Sequence, residues 1–134
     1  MLKAQNNTNM IYRIEYDSHG IIISKVQGEL TMSIVREIAG KVLQLAKEQN
    51  CSCVLEDLRE MQLKLSMAET FALPNLFAEM AAALGLQIYT FKRAVLIVKG
   101  EELLPFYETI SRNRVQNVKL FYDDDSARQW LLEK

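Results

Sequence analysis

LEDLREMQLKLSMAE, residues 55–69, carries the end of a strand and the start of a helix within one short stretch. Its apolar lead-in, CSCVLEDL, reads as a short strand ending in acids. Asp57-Leu58-Arg59 then reads as a turn, and the chain restarts as a helix behind Ser66. Ser66 is followed three residues later by Glu69, the spacing of a capping box. Two roles therefore stand open for Ser66: a helix cap, or an acceptor of phosphate at a helix start, where a negative charge is tolerated.

Working outward, the same alternation of strand and helix recurs. IYRIEY and IIISKV flank Asp17-Ser18-His19-Gly20, whose turn-forming residues predict an antiparallel hairpin. Ile34, Ile38, Val42 and Leu45 recur at helical spacing behind Thr31, the expected N-cap. Pro74 interrupts the helix that starts at Ser66, predicting a kink or two helical pieces, and Gly85 is the expected stop. RAVLIV is continuously apolar, as a strand buried on both faces would be. LLPFYETISRNRV predicts a helix with Leu103, Phe106, Tyr107 and Ile110 on one stripe. VKLFY predicts the last strand, and DDDSARQWLLEK the last helix, with acids at its positive end.

The expected fold is α/β: one domain with a mixed, mostly parallel five-stranded sheet, an N-terminal β-hairpin and about four helices. Residues 1–10 read as a polar tail and residues 11–134 as the domain. The 134-residue chain is long enough to fold without disulfides or metal. Cys51 and Cys53 share one face of a strand and read as small, buried or half-buried free thiols. A net charge of −1 supplies no general drive toward nucleic acid, and none is expected as a partner. No apolar run is long enough for a membrane span, and the N-terminus lacks the features of an export signal, so a cytoplasmic location is expected.

Catalytic chemistry is sparse. His19 is the only histidine and sits in the predicted hairpin turn, which argues against a nucleophile–histidine mechanism. No phosphate-binding glycine motif occurs, and no cofactor or metal site is expected. Glu56 and Asp57 lie at the end of a parallel strand, where α/β proteins bind ligands. An enzyme using Asp57 or Glu56 is the lowest-ranked alternative; Asp57 also suits pairing with Arg59. Arg112 and Arg114 close a helix, complementing its dipole or meeting an anion or partner together with Lys92 and Arg93. Met67, Phe71, Leu76, Phe77, Met80, Ile88, Tyr89 and Phe91 form an apolar region that suits core, a dimer face or an acyl-chain groove.

The order of elements, Asp57-Leu58-Arg59 after a strand, Leu65-Ser66 opening a helix, Arg93-Ala94-Val95 opening a strand, Asn113-Arg114 ending a helix, and Ala127 with Trp130-Leu131 near the end resemble one group. It is the bacterial STAS-like family with a SpoIIAA-like fold, relatives of the anti-sigma-factor antagonists. The resemblance spans roughly residues 11–133. It implies a protein that acts by binding a protein partner rather than by chemistry. It also aligns Ser66 broadly with the serine that a partner kinase phosphorylates in such antagonists. Their Asp-Ser-small-Gly setting is not reproduced by LKLSMAET. The expected function is a non-enzymatic interaction or regulatory module, with its working surface between Asp57 and Ser66 and on the neighbouring apolar helix. The module is read as a candidate homodimer, and a small-ligand or lipid-binding carrier is the first alternative.

Overall fold

The structure is a computed structural model that describes residues 2–5 and 11–133. Six strands form one sheet in the order in which they occur: β1 (Leu2–Gln5), β2 (Ile11–Tyr16), β3 (Ile22–Leu30), β4 (Cys53–Leu63), β5 (Lys92–Leu96) and β6 (Asn117–Phe121). The five expected strands are β2 to β6. Residues 2–5, expected within a polar tail, instead add an antiparallel edge strand on β2. β2 and β3 form the expected hairpin, and Asp17 closes it by accepting from the backbone N–H groups of His19 and Ile21. β3 to β6 are parallel.

Four helices follow the expected order: α1 (Met32–Gln49), α2 (Met67–Ala83), α3 (Leu104–Asn113) and α4 (Asp124–Leu132). Each crossover from β3 to β6 steps to the next strand in the same direction. Right-handed connections then place α1, α2 and α3 on one face of the sheet. The larger core lies there and joins Val26, Ile38, Val42, Leu73, Val95 and Tyr107. α4 follows the last strand and covers the other face, burying Ala127 and Leu131 against Leu55, Ala94 and Leu96.

The expected turn at Asp57-Leu58-Arg59 is a β-bulge inside one long strand. Lys25 pairs with Asp57 and Gln27 with Glu60, so Leu58 and Arg59 together oppose Val26. Side chains alternate along a strand, and one extra residue reverses which of them face inward. Val54, Glu56 and Leu58 face the larger core before the bulge; Met61, Leu63 and Leu65 face it afterwards. Asp57 fastens the bulge through Oδ1, which accepts from Arg59 N at 3.2 Å and Arg59 Nε at 3.0 Å. Its Oδ2 accepts from the Arg59 guanidinium at 2.9 Å.

Three further expectations change. α2 is one continuous helix through the buried Pro74, which removes the two-piece outcome of the two expected there. Tertiary packing holds Pro74 in place, and its carbonyl accepts from Gln116 Nε2 at 2.8 Å. The buried stripe of α3 is Leu104, Tyr107 and Ser111, which leaves Phe106 exposed; the expected stripe was displaced by one residue. Thr31 stands at the N-cap of α1 but makes no side-chain cap bond. Gly85 adopts φ of +77° just beyond α2, the left-handed stop that glycine favours. Tyr12 ties β2 to α1 by donating to Glu37 at 2.5 Å and accepting from Lys41 at 2.7 Å.

The bulge pair makes a testable contribution. Burial pushes the Asp57 carboxyl up, but the hydrogen bonds and charge of Arg59 outweigh it and hold the pKa below the ordinary value. A depressed folded-state pKa stabilises above the unfolded value, and that gain is lost as pH falls through the folded one. Asp57→Ala is expected to cost about 1.5–3 kcal/mol at neutral pH in urea titrations. The gap to the parent protein should narrow once pH falls below about 4.

Candidate functional site

A pocket of about 80 Å³, partly open to the surface, lies under α1, α2 and α3. Its walls are mainly apolar: Val26, Leu30, Ile38, Val42, Leu73 and Phe91 are among them. Three neighbouring strands each contribute one polar residue to the same lining, namely Ser24 on β3, Glu56 on β4 and Arg93 on β5. Alternation explains the placement. Ser24 lies between inward Ile22 and Val26, Glu56 between Val54 and Leu58, and Arg93 precedes inward Val95. Ser24 is level with Glu56 across the sheet, and Arg93 with Val54.

Arg93 is the best-anchored of the three. One of its terminal nitrogens donates to the Tyr107 hydroxyl at 2.8 Å, and the other to Gln116 Oε1 at 2.5 Å. Its guanidinium also lies over the Phe77 ring, 5.6 Å from the centroid. Burial pushes the Tyr107 hydroxyl pKa up to about 12, with the Arg93 charge opposing the rise. Burial likewise raises the Glu56 carboxyl above its ordinary value, only partly countered by Arg93. Glu56 therefore keeps its proton to higher pH than a free glutamate does.

The residues singled out from sequence divide between the two sides of the sheet. Asp57 is buried beside the bulge, and Arg59 feels the charge of Asp124 at the start of α4. Arg128 continues that polar seam by pairing with Asp124 at 2.6 Å and Asp17 at 3.0 Å. Ser66 and Phe71 belong to α2 instead, on the opposite layer. Ser66 is exposed, accepts from Glu69 N at 3.0 Å, and donates its own N–H to Glu69 Oε1 at 2.8 Å, completing the capping box. Phe71 and Tyr89 are exposed. Phe77 is half-buried in the cavity wall, edge-on to Tyr107. Phe91 corrects its assignment to a surface: it is 3% exposed, because it precedes β5 and points inward with Arg93. Arg112 is exposed at the end of α3, and Arg114 reaches Asn75 on α2. Cys51 and Cys53 are free and half-buried.

Sequence reasoning missed Ser24, Tyr107 and Gln116 as site residues and named Arg93 only as a companion of Arg112 and Arg114 in an anion or partner contact. The signal was present as one polar residue interrupting the inward row of each of three strands. Among the described residues no group of His, Cys, Asp and Glu is arranged to hold a metal ion, and no helix is long and apolar enough to cross a membrane.

Two substitutions test this geometry. Ser66→Ala should cost about 1 kcal/mol, with Ser66→Asp recovering much of it, read from thermal or urea unfolding. Glu56→Gln should stabilise the protein, by more at pH 7 than at pH 4. A folded-state pKa raised above the unfolded one makes stability fall as pH rises between the two values, and the amide removes that dependence.

No family model and no curated protein matches the sequence. Solved structures do match its fold. An anti-sigma factor antagonist from Mycobacterium paratuberculosis superposes with a TM-score of 0.58 at 15% identity, over 97% of this chain and 100% of that one. The anti-sigma factor antagonist SpoIIAA in its unphosphorylated form gives 0.57 at 8% identity, over 88% and 94%. An uncharacterised Shewanella loihica protein with a SpoIIAA-like fold gives 0.54 at 18% identity, over 96% and 98%. The resemblance expected from sequence thus holds in three dimensions: the chain has the SpoIIAA-like fold of the anti-sigma factor antagonists.

Proposed function

We propose that this protein is a non-enzymatic regulatory module that works by docking on a protein partner. The observation that carries the reading is an exposed aromatic pair. Phe71 on α2 and Phe106 on α3 are 39% and 49% exposed, and their ring centroids lie 6.3 Å apart. Met67, one helical turn before Phe71, extends the apolar patch, and Ser66 caps the helix at its edge. Aromatic and methionine side chains clustered at the surface are typical anchors of protein interfaces. The likeness in fold to anti-sigma factor antagonists supports the same reading. Two free cysteines suit a reducing compartment such as the cytoplasm. Phosphorylation of Ser66 would break its bond to the Glu69 N–H or replace it with a charged one, placing a switch at the rim of the patch.

The test is crosslinking in the source cells, comparing the parent protein with a Phe71→Glu/Phe106→Glu variant. A partner captured by the former and lost by the latter, at unchanged thermal stability, is the expected result. A second copy of the chain as that partner would make the patch a dimer face. Equal capture by both proteins would remove the patch from the interface.

A further inference from the structure

The pocket under α1, α2 and α3 presents a carboxyl within a mainly apolar space. Two polar atoms of its lining residues are shut in by protein and out of a ligand's reach, Arg93 Nε and Ser24 Oγ. Glu56 differs. It stands between Val54 and Leu58 on the inward face of β4, yet it is half-exposed, as are Leu58 and Phe77 in the same lining. Among the described residues nothing donates a hydrogen bond to its carboxyl, and its oxygens are not among the enclosed unpartnered atoms. They therefore face the open space of the pocket. Arg93 stands on the neighbouring strand, level with Val54, while Glu56 is level with Val95. Its charge acts on Glu56 across that diagonal, and among the described residues no close ion pair joins the two.

This arrangement selects against charged ligands. An anion would meet the Glu56 carboxyl, and the Arg93 nitrogens are turned to Tyr107 and Gln116 or enclosed. An ammonium group would meet the Arg93 charge beside its only acidic partner in the lining. A hydroxyl brings no charge and donates to Glu56, which accepts a hydrogen bond in either protonation state. Water satisfies the carboxyl too, but an ordered water needs about two to four polar partners, and walls of Val26, Ile38, Val42, Leu73 and Phe91 supply none. A hydrocarbon body covers those walls and returns their water to bulk. A water needs about 10–15 Å³ of such space, so 80 Å³ takes roughly five to eight water-sized groups, the size of a short-chain alcohol.

We propose that this pocket binds a small neutral alcohol, its hydroxyl donating to the Glu56 carboxyl and its hydrocarbon body lying against the apolar walls. Specificity comes from the polar end, because a buried acceptor built to be hydrogen-bonded discriminates against a ligand of the same shape that lacks the donor. The site is separate from the exposed Phe71–Phe106 patch, neither residue of which lines it. It therefore stands independently of the proposed docking function.

Methyl-resolved NMR titration of the full chain with 1-hexanol tests the proposal. The comparisons are methyl pentyl ether, which matches its size without a donor, and the charged counterparts sodium hexanoate and hexylammonium chloride. Saturable shifts from hexanol are expected at the methyl groups of Val26, Val42, Leu73 and Val95, with each comparison binding at least about tenfold more weakly. Glu56→Leu should remove the preference for hexanol over the ether while the ether still binds. Because that variant also changes the surroundings of Arg93, Ala39→Phe provides a second test. It fills the pocket from α1 without altering Glu56, and should abolish hexanol binding while the fold is retained. An absence of saturable hexanol shifts, equal binding of the ether or of either ion, a preference retained in Glu56→Leu, or unchanged binding in folded Ala39→Phe would each overturn the proposal. Phe71→Glu/Phe106→Glu should bind hexanol normally, so loss of protein docking and loss of the ligand site are read separately.

Discussion

The bulge in β4 is the constraint on which the rest of the structure depends. β3 keeps one parity throughout, with Ile22, Val26 and Leu30 facing the larger core. β4 matches that parity only as far as Leu58. Without the extra residue, Leu63 and Leu65 would point toward the α4 face and away from the core under α1 and α2. The Asp57–Arg59 pair holds the bulge where it is needed, and Leu65 then enters the core immediately before Ser66 opens α2. A local hydrogen-bond arrangement thereby sets the position of a helix that covers the pocket.

The two faces of the sheet serve different ends. The α4 side is compact and closed, with Ala94 and Ala127 allowing close approach of helix and sheet. Its polar rim runs from Asp57 and Arg59 through Arg128 to Asp17, and burial at Asp17 is outweighed by the hydrogen bonds that keep its carboxyl acidic. The other side is thicker and contains both the interior space and the exposed aromatic pair. The Arg93 network spans it from β5 to Tyr107 on α3 and, through Gln116, to the Pro74 carbonyl on α2. That network accounts for a proline inside an unbroken helix: the packing and bonding around α2 outweigh the one backbone bond the proline cannot make.

Much of the architecture was legible in the sequence because it rests on local physics. Hydrophobic periods separated strands from helices, turn residues marked the hairpin, Gly85 stopped α2, and Ser66 with Glu69 specified a cap. The order of those elements was enough to indicate the SpoIIAA-like fold. The errors were also physical. Acidic and basic residues at 57–60 look alike whether the chain turns or bulges, because both use Asp to hold a nearby backbone N–H. Apolar residues such as Phe106 and Phe91 carry no mark that tells exposure from burial.

What the sequence determined by itself was the inventory: one α/β domain, free thiols, a capped α2, and one polar residue in the inward row of each of three strands. What only the tertiary structure decided was their juxtaposition. Ser24, Glu56 and Arg93 are far apart in the chain, and strand register alone makes them neighbours. Whether Arg93 reached solvent or core depended on the helices packed over it, since burial of a guanidinium is tolerated only where acceptors such as Tyr107 and Gln116 are brought to it. Its place beside Glu56, outside any close ion pair, is a property of the assembled fold, because charge compensation is settled by distance in space and not by separation along the chain.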